Sequence, residues 1–89
     1  MNFPGVAVFV QEGCGACDEY LPRFARVSAP YRARGLAVRR VDIARFPEAA
    51  QQFRVNATPT TVVFTSRGLH RVVGAIDDNA IARLLAVFG

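Results

Sequence analysis

Several residue types and patterns that define whole classes of protein are scarce or missing in this sequence of 89 residues. It contains only two cysteines and one histidine, too few for a scaffold of several disulfides or for a closed four-ligand zinc site within one chain. No apolar stretch reaches the length of about 18 residues that a membrane span requires. Charged residues make up only 20% of the sequence and hydrophobic residues 52%, which excludes a disordered or low-complexity chain.

Lysine and tryptophan are absent altogether, so that all 11 positions in the lysine-plus-arginine count are arginines. Against seven acidic residues, the arginines give a formal net charge of +4. We interpret the arginine excess, which accompanies many alanines, as a compositional bias of the source. A basic surface for nucleic acid is the less favoured alternative. We therefore expect no nucleic-acid partner. Because no apolar stretch is long enough to span a membrane, we expect no membrane partner either.

The length and composition suit one small domain spanning residues 1–89, because a chain this short must devote most of its apolar residues to one core. The apolar N-terminal stretch, residues 1–10, has no cationic start and no cleavage site, so it differs from a secretory signal. We therefore expect a cytoplasmic protein. In that compartment, paired cysteines seldom persist as structural disulfides.

Apolar periodicity and turn residues predict seven elements in the order β-α-β-α-β-β-α. The predicted elements are strands at 6–10, 36–43, 60–65 and 69–73, and helices that begin at Cys14, Pro47 and the capping residue Asp77. We expect Pro22 to kink the first helix, and Pro30 with Gly35 to end it. A parallel β-α-β unit followed by an antiparallel hairpin predicts an α/β fold with a four-stranded mixed sheet and helices on both faces.

Cys14 and Cys17 are three positions apart, on the first turn of the first helix and directly after a buried strand. A disulfide between them closes too short a loop to be an effective staple, with a chain-entropy contribution of about 2 kcal/mol. A helix N-terminus, by contrast, stabilises a thiolate. The arrangement favours a redox pair, with Cys14 as the exposed nucleophile and Cys17 as the buried resolving thiol. The alternatives are a metal or iron–sulfur site shared between two chains, or two inert core cysteines.

These residues resemble the thioredoxin superfamily over nearly the whole chain. Cys14-Gly15-Ala16-Cys17 matches the active-site motif, Pro22 the proline that kinks the active-site helix, Thr58-Pro59-Thr60 the cis-proline loop, and Gly74 the glycine after the last strand. The resemblance starts at the first buried strand, without the strand and helix that precede it in full-length thioredoxins. In this respect the chain is similar to small single-domain thioredoxin- and glutaredoxin-like proteins.

The resemblance implies a dithiol/disulfide oxidoreductase that reduces protein disulfides through a Cys14–Cys17 cycle. It implies a monomer without a metal or other cofactor, recharged by a thioredoxin-reductase-type enzyme or by glutathione. The implied substrate-binding residues are Gly13, Gly15, Ala16, Thr58, Pro59 and Gly74. Two alternatives remain open: a thioredoxin-like binding or assembly module, with a partner protein such as a nucleic-acid enzyme, and a glutathione-dependent, glutaredoxin-like reductase.

The sequence departs from the family at three positions. Gly13 stands where thioredoxins usually carry a tryptophan before the first cysteine. Val8 aligns with a buried aspartate that helps to move the proton of the resolving cysteine, and its lysine partner falls at or beside Val38. We expect that both charges have been lost together, because one buried charge without its partner is costly. Resolution by Cys17 is then expected to be slow.

The residues beside the cysteines favour a reducing protein over a strong oxidant. Gly15 and Ala16 carry no charge that stabilises the Cys14 thiolate further. Asp18 follows Cys17 and adds negative charge near the thiols, although an acidic residue is also favourable in the first turn of any helix. We therefore expect a reduction potential similar to that of thioredoxin.

Overall fold

A computed structural model of the chain describes residues 4–89. The strands and helices are β1 (Gly5–Val10), α1 (Gly15–Ala33), β2 (Ala37–Asp42), α2 (Pro47–Gln52), β3 (Thr60–Thr65), β4 (Gly68–Val73) and α3 (Asp78–Leu85). A short 3₁₀ turn, Ala86–Phe88, follows α3. Residues 1–3 of the apolar N-terminal stretch lie outside the described range. The order of the elements confirms the prediction from the sequence.

The four strands form one mixed sheet in the order β2-β1-β3-β4. β1 is parallel to β2, and it is antiparallel to β3, which continues into β4 as a hairpin. The helical crossover through α1 allows the parallel pair β1–β2, while a tight turn suffices for the antiparallel hairpin β3–β4. The predicted mixed sheet is thus confirmed, with β1 and β3 in its centre.

Both faces of the sheet are covered by helices. On one face, alternate residues of β1 such as Val8 pack with residues of α1 and α3, among them Phe24 and Ile81. On the other face, Phe9 packs in a second cluster with Ala50 of α2. All six residues of β1 are buried, which explains why this strand is a continuous apolar run rather than an alternating pattern.

The first helix is longer than the sequence indicates. Both Pro22 and Pro30 lie inside α1, which ends at Ala33. The expectation that Pro30 closes the helix is therefore wrong. The side chain of Arg32 donates a hydrogen bond to the carbonyl oxygen of Ala25, at 2.6 Å, and so links the last turn of the helix to the part before Pro30. Gly35, with φ of 103°, follows the end of the helix.

The register between β1 and β2 corrects the expectation for Val8. Val8 lies opposite Arg40, whereas Val38 lies opposite Val6. The neighbour in register with Val8 is therefore a cation, and the expectation that both charges have been lost is wrong for the basic one. Arg40 is exposed on an edge strand, where its guanidinium stays solvated and needs no buried carboxylate.

The last helix is fixed at its N-terminus as the sequence predicts. Asp77 is the cap of α3, and its Oδ1 accepts a hydrogen bond from the backbone N–H of Ala80 at 2.8 Å. Ile81 and Leu85 on the inner side of this helix are fully buried. The cap fixes where the segment after β4 turns into α3, next to the cysteine-bearing end of the sheet.

A pair of hydroxyl groups lies within the core between α1 and β3. The Tyr20 Oη and Thr61 Oγ1 atoms are 2.8 Å apart, and both residues are fully buried. Burial raises the pKa of Tyr20 above its ordinary value, because the phenolate would lose its hydration. Thr61 lies opposite Val8 in the register of β1 and β3.

The hydroxyl pair yields a prediction for stability. We expect Tyr20→Phe and Thr61→Val each to lower the free energy of unfolding by about 1–2 kcal/mol, because each leaves one buried hydroxyl without its partner. The double variant should lose less than the sum of the two, since no orphaned group remains. Urea unfolding of the four proteins measures this coupling. Strict additivity would contradict a direct hydrogen bond between the two side chains.

Candidate active site

Cys14 and Cys17 form a disulfide at the N-terminus of α1, with their Cα atoms 5.2 Å apart. The β1 strand ends at Val10, and a short turn leads directly into the helix. Cys17 is 1% exposed and packs in the core cluster of α1 and α3, whereas Cys14 is half-buried at its edge. One sulfur therefore faces the surface and the other the interior.

The helix terminus provides hydrogen-bond donors for the outer sulfur. Cys14 is the N-cap residue of α1, and the backbone N–H of Cys17 donates to its Sγ atom at 3.0 Å. This N–H is one of the amides at a helix start that have no partner within the helix, and the positive end of the helix dipole lies at the same place. A thiolate on Cys14 is therefore stabilised by position alone.

The loop before β3 lies against the disulfide. The carbonyl oxygen of Thr58 is 3.5 Å from Cys14 Sγ, a distance at which the thiol of the reduced protein can donate a hydrogen bond. The peptide bond between Thr58 and Pro59 is cis. Thr60 Oγ1 donates to the carbonyl oxygen of Ala57 at 2.6 Å and closes the loop upon itself.

The segment after β4 borders the same loop. The backbone N–H of Gly74 donates to the carbonyl oxygen of Pro59 at 2.8 Å. Gly74 has φ of 99° and Gly13, in the turn before Cys14, has φ of 81°. Both values lie in the left-handed region, which explains glycine at these two positions, including the one where thioredoxins usually carry tryptophan. The structure thus brings the motif, the proline loop and Gly74 together at one end of the sheet.

The surface around the disulfide is mostly small and uncharged. Gly13, Gly15 and Ala16 are exposed beside Cys14, and Thr58 is half-buried on the other side. A Cβ atom added at Gly13 or Gly15 would meet no other atom within 4 Å. The disulfide therefore lies at an open surface and not in a deep pocket, which suits a large substrate that brings its own disulfide to Cys14. We call this surface, between the Cys14–Cys17 motif and the Thr58–Pro59 loop, the groove.

A cluster of charged side chains that the sequence does not predict lies next to this groove. The guanidinium of Arg23 forms hydrogen bonds with Glu19 on α1, Asp78 on α3 and the carbonyl oxygen of Ile76. Arg26 also pairs with Asp78. The spacing of Glu19 and Arg23 predicts an i,i+4 pair, but no sequence pattern connects either residue with residues 76–78.

The ion pairs shift the pKa values of their members. Hydrogen bonds from Arg23 hold the pKa of Glu19 and of Asp78 below their ordinary values, and the same bonds raise the pKa of Arg23. Both carboxylates therefore remain charged to a lower pH than isolated ones do. The pairs are complete above the ordinary carboxyl pKa and are lost as the pH falls through the lowered values.

Three further basic side chains lie in the middle of the outer strands and not at the end of the sheet that carries the disulfide. Arg39 and Arg40 are exposed in the middle of the edge strand β2, and His70 is exposed on β4. Among residues 4–89, no group of three or more metal-ligating side chains is found. The same residues contain no helix long and apolar enough to cross a membrane.

Comparison with known proteins places these features in context. The profile of the Thioredoxin family matches residues 3–87 of the chain. A thioredoxin of Mycobacterium tuberculosis is 33% identical over 86 residues, which cover 96% of this chain and 73% of that protein. A thioredoxin of Chlamydia muridarum is 30% identical over 81 residues, covering 88% of this chain and 76% of its own length.

Solved structures show the same architecture. The oxidised form of mitochondrial thioredoxin 3 from Saccharomyces cerevisiae superposes with a TM-score of 0.84, at 23% identity, over 98% of this chain and 80% of that one. A thioredoxin from Nicotiana alata gives a TM-score of 0.83 at 26% identity, over 98% of this chain and 74% of its own. Both likenesses extend over all the elements that carry the cysteine pair and the proline loop.

Proposed function

Because this chain belongs to the thioredoxin family and is a thiol-disulfide oxidoreductase, we propose that it reduces the disulfides of other proteins. The observation that carries this proposal is the Cys14–Cys17 disulfide at a helix N-terminus, with the Thr58 carbonyl oxygen 3.5 Å from the outer sulfur. A cytoplasmic monomer recharged by a thioredoxin-reductase-type enzyme suits this role.

The reaction transfers two electrons through two thiol–disulfide exchanges. The Cys14 thiolate attacks one sulfur of the substrate disulfide, and the other substrate sulfur leaves as a thiolate and takes up a proton. The Cys17 thiolate then attacks Cys14 Sγ, which restores the intramolecular disulfide and releases the second substrate thiol. An external dithiol or reductase returns two electrons to the pair. The chain needs no metal or organic cofactor for these steps.

The residues around Cys14 provide backbone pairing on one side of the groove and open space on the other. The backbone of Thr58 can pair with an extended substrate segment beside Cys14, as one more strand pairs with a sheet edge. Gly13, Gly15 and Ala16 leave room on the near side, and Gly74, bonded to the Pro59 carbonyl, borders the far side. Together these residues are the proposed contacts for the substrate.

Reduction of insulin tests the proposal. With dithiothreitol as electron donor, the protein should accelerate the precipitation of reduced insulin well above the rate with dithiothreitol alone. The Cys14–Cys17 couple should have a potential near that of thioredoxin, about −270 mV, rather than about −120 mV as in a strong oxidant. No acceleration over dithiothreitol would contradict the proposal and favour a binding module.

The recycling partner is tested in the same assay. Replacing dithiothreitol first by NADPH with a thioredoxin reductase, and then by NADPH with glutathione and glutathione reductase, separates the two sources of electrons. We expect turnover with the first system. In the sequence motif the exposed Ala16 offers no group that would hold the carboxylates of glutathione, and Arg39 and Arg40 lie away from the disulfide. Turnover with glutathione alone would contradict this part of the proposal.

A further inference from the structure

Residues 74–76, which we call the rim turn, connect β4 to the cap of α3 beside the proline loop. The Gly74 N–H donates to the Pro59 carbonyl oxygen at 2.8 Å, and the Ile76 N–H donates to the Gly74 carbonyl oxygen at 3.0 Å. Pro59 in turn follows Thr58, whose carbonyl oxygen lies 3.5 Å from Cys14 Sγ. The start of the rim turn is therefore held by the loop that contacts the reactive sulfur.

The other end of the rim turn is held by Arg23. The Nη1 atom of Arg23 donates to the Ile76 carbonyl oxygen at 2.7 Å and to Asp78 Oδ1 at 3.1 Å. Ile76 is only half-buried, and its side chain packs at the edge of the core cluster of α1 and α3. The carbonyl bond is thus a direct connection between α1, whose N-terminus holds the cysteine pair, and the rim turn, which is the far wall of the groove.

The position of the Arg23 side chain is fixed from several sides. A guanidinium has five N–H donors in a rigid plane, and Arg23 uses four hydrogen bonds, two of them to Glu19 on the preceding turn. The guanidinium carbon also lies 5.6 Å from the centre of the Tyr20 ring. The Arg23 side chain is only 21% exposed. A group held in this way can hold a backbone carbonyl in place in turn.

Arg26 provides a natural comparison within the same cluster. Like Arg23 it lies on α1 and pairs with Asp78, but its side chain is 63% exposed. Of these two arginines, Arg23 alone donates to the backbone of the rim turn. Loss of either arginine removes one positive charge and one pairing with Asp78, whereas loss of Arg23 alone frees the Ile76 carbonyl. A difference between the two variants therefore does not come from the charge or from the pairing with Asp78, and reports on the bonds that Arg23 makes to the Ile76 carbonyl and to Glu19.

We propose that Arg23 is a positioning residue that holds the rim turn against the proline loop, and that it thereby sets the affinity for protein disulfides. This inference rests on the proposed function, in which Gly74 borders the substrate groove. A protein substrate must contact this wall, and a wall that is ordered before binding does not have to be ordered by the substrate. A small disulfide reaches Cys14 without contacting the wall, so its reaction does not depend on Arg23.

Steady-state kinetics of Arg23→Met and Arg26→Met test the inference. Methionine keeps the helix propensity and the apolar stem of arginine but lacks its donors. Dithiothreitol serves as reductant, so that no second protein touches the groove. For insulin we expect Arg23→Met to raise KM about three- to tenfold, with kcat within about twofold of wild type. The rate at which the reduced protein loses its thiols to hydroxyethyl disulfide should stay within about twofold. Arg26→Met should leave all three values within about twofold.

Three outcomes would overturn the inference. The first is an unchanged KM for insulin in Arg23→Met. The second is a loss of rate of about three- to tenfold with hydroxyethyl disulfide in Arg23→Met, which would show that the substitution acts on the thiols themselves. The third is the same rise of KM in Arg26→Met, which would show that the rise results from the loss of a positive charge beside Asp78. A wild-type protein that does not reduce insulin would instead contradict the proposed function.

Amide hydrogen exchange provides a measurement that is independent of activity. The Gly74 amide, bonded to the Pro59 carbonyl oxygen, should exchange at least about fivefold faster in Arg23→Met than in wild type. The Ala80 amide, which is bonded to the cap Asp77, serves as reference within α3. Arg23→Lys keeps the charge but replaces the guanidinium fork by a single donor nitrogen, so it remains available if the methionine variant does not fold. Protection of Gly74 equal to wild type in both variants would contradict the role of Arg23.

Discussion

Replacing Cys17 by serine is expected to stop turnover while the first attack on the substrate remains. Cys14 still lies at the surface and at the helix N-terminus, so its thiolate still forms a bond to a substrate sulfur. Without the buried thiol of Cys17, the mixed disulfide is cleaved only by an external thiol. Because an intramolecular attack of high effective molarity is lost, turnover at millimolar dithiothreitol should fall by at least about 10³-fold.

Mass spectrometry of the Cys17→Ser protein after mixing with oxidised insulin measures the trapped species directly. We expect one adduct per chain, bound through Cys14 and removed by excess dithiothreitol. The matched control is Cys14→Ser, which should give neither turnover nor adduct, since Cys17 is 1% exposed. An adduct on Cys17 in that control would show that the assignment of the two roles is reversed.

Replacing Phe9 by alanine is expected to cost a large part of the stability of the fold. Phe9 is 1% exposed in the second cluster, on the face of the sheet covered by α2, and its ring centre lies 6.0 Å from that of Phe53. Phe→Ala changes at such sites lower the free energy of unfolding by about 3–5 kcal/mol, because apolar area is lost and a cavity remains. A chain of this length has roughly 5–13 kcal/mol in total.

Thermal unfolding of the oxidised protein, followed by far-ultraviolet circular dichroism, checks this prediction. At about 4–8 °C per kcal/mol, the midpoint should fall by at least about 12 °C. Phe46→Ala is the control of the same chemistry, because the Phe46 side chain is 52% exposed, and it should shift the midpoint by only a few degrees. Equal shifts for the two variants would mean that Phe9 does not lie in a tightly packed core.

Those parts of the fold that depend on local patterns were predictable from the sequence. The strand at residues 60–65 has the predicted bounds, since β-branched residues follow a loop proline and end at a glycine turn. Asp77 caps α3 because a short acidic side chain precedes an amphipathic stretch. The pairing of Cys14 with Cys17 was favoured by their spacing and their place after a buried strand.

The remaining features depend on contacts between distant segments. Pro30 stays within α1 because the helix packs against the sheet and α3, which outweighs the local preference to end at a proline. The neighbour of Val8 is fixed by the strand register, and a displacement of two residues exchanges Val38 for Arg40. The contact of Arg23 with the Ile76 carbonyl joins residues 53 positions apart, for which no periodic pattern exists.

The antiparallel pairing of β1 with β3 has a consequence for folding during translation. Gly5 pairs with Phe64, so the central ladder of the sheet cannot close before residue 64 has been translated. Cys14 and Cys17 are synthesised early, but Thr58 and Pro59 reach them only after β3 has emerged. Until then the nascent chain carries an ordinary dithiol without a groove beside it. A nascent chain that ends before β3 therefore lacks the pairing that brings Thr58 and Pro59 beside the cysteine pair in the folded protein.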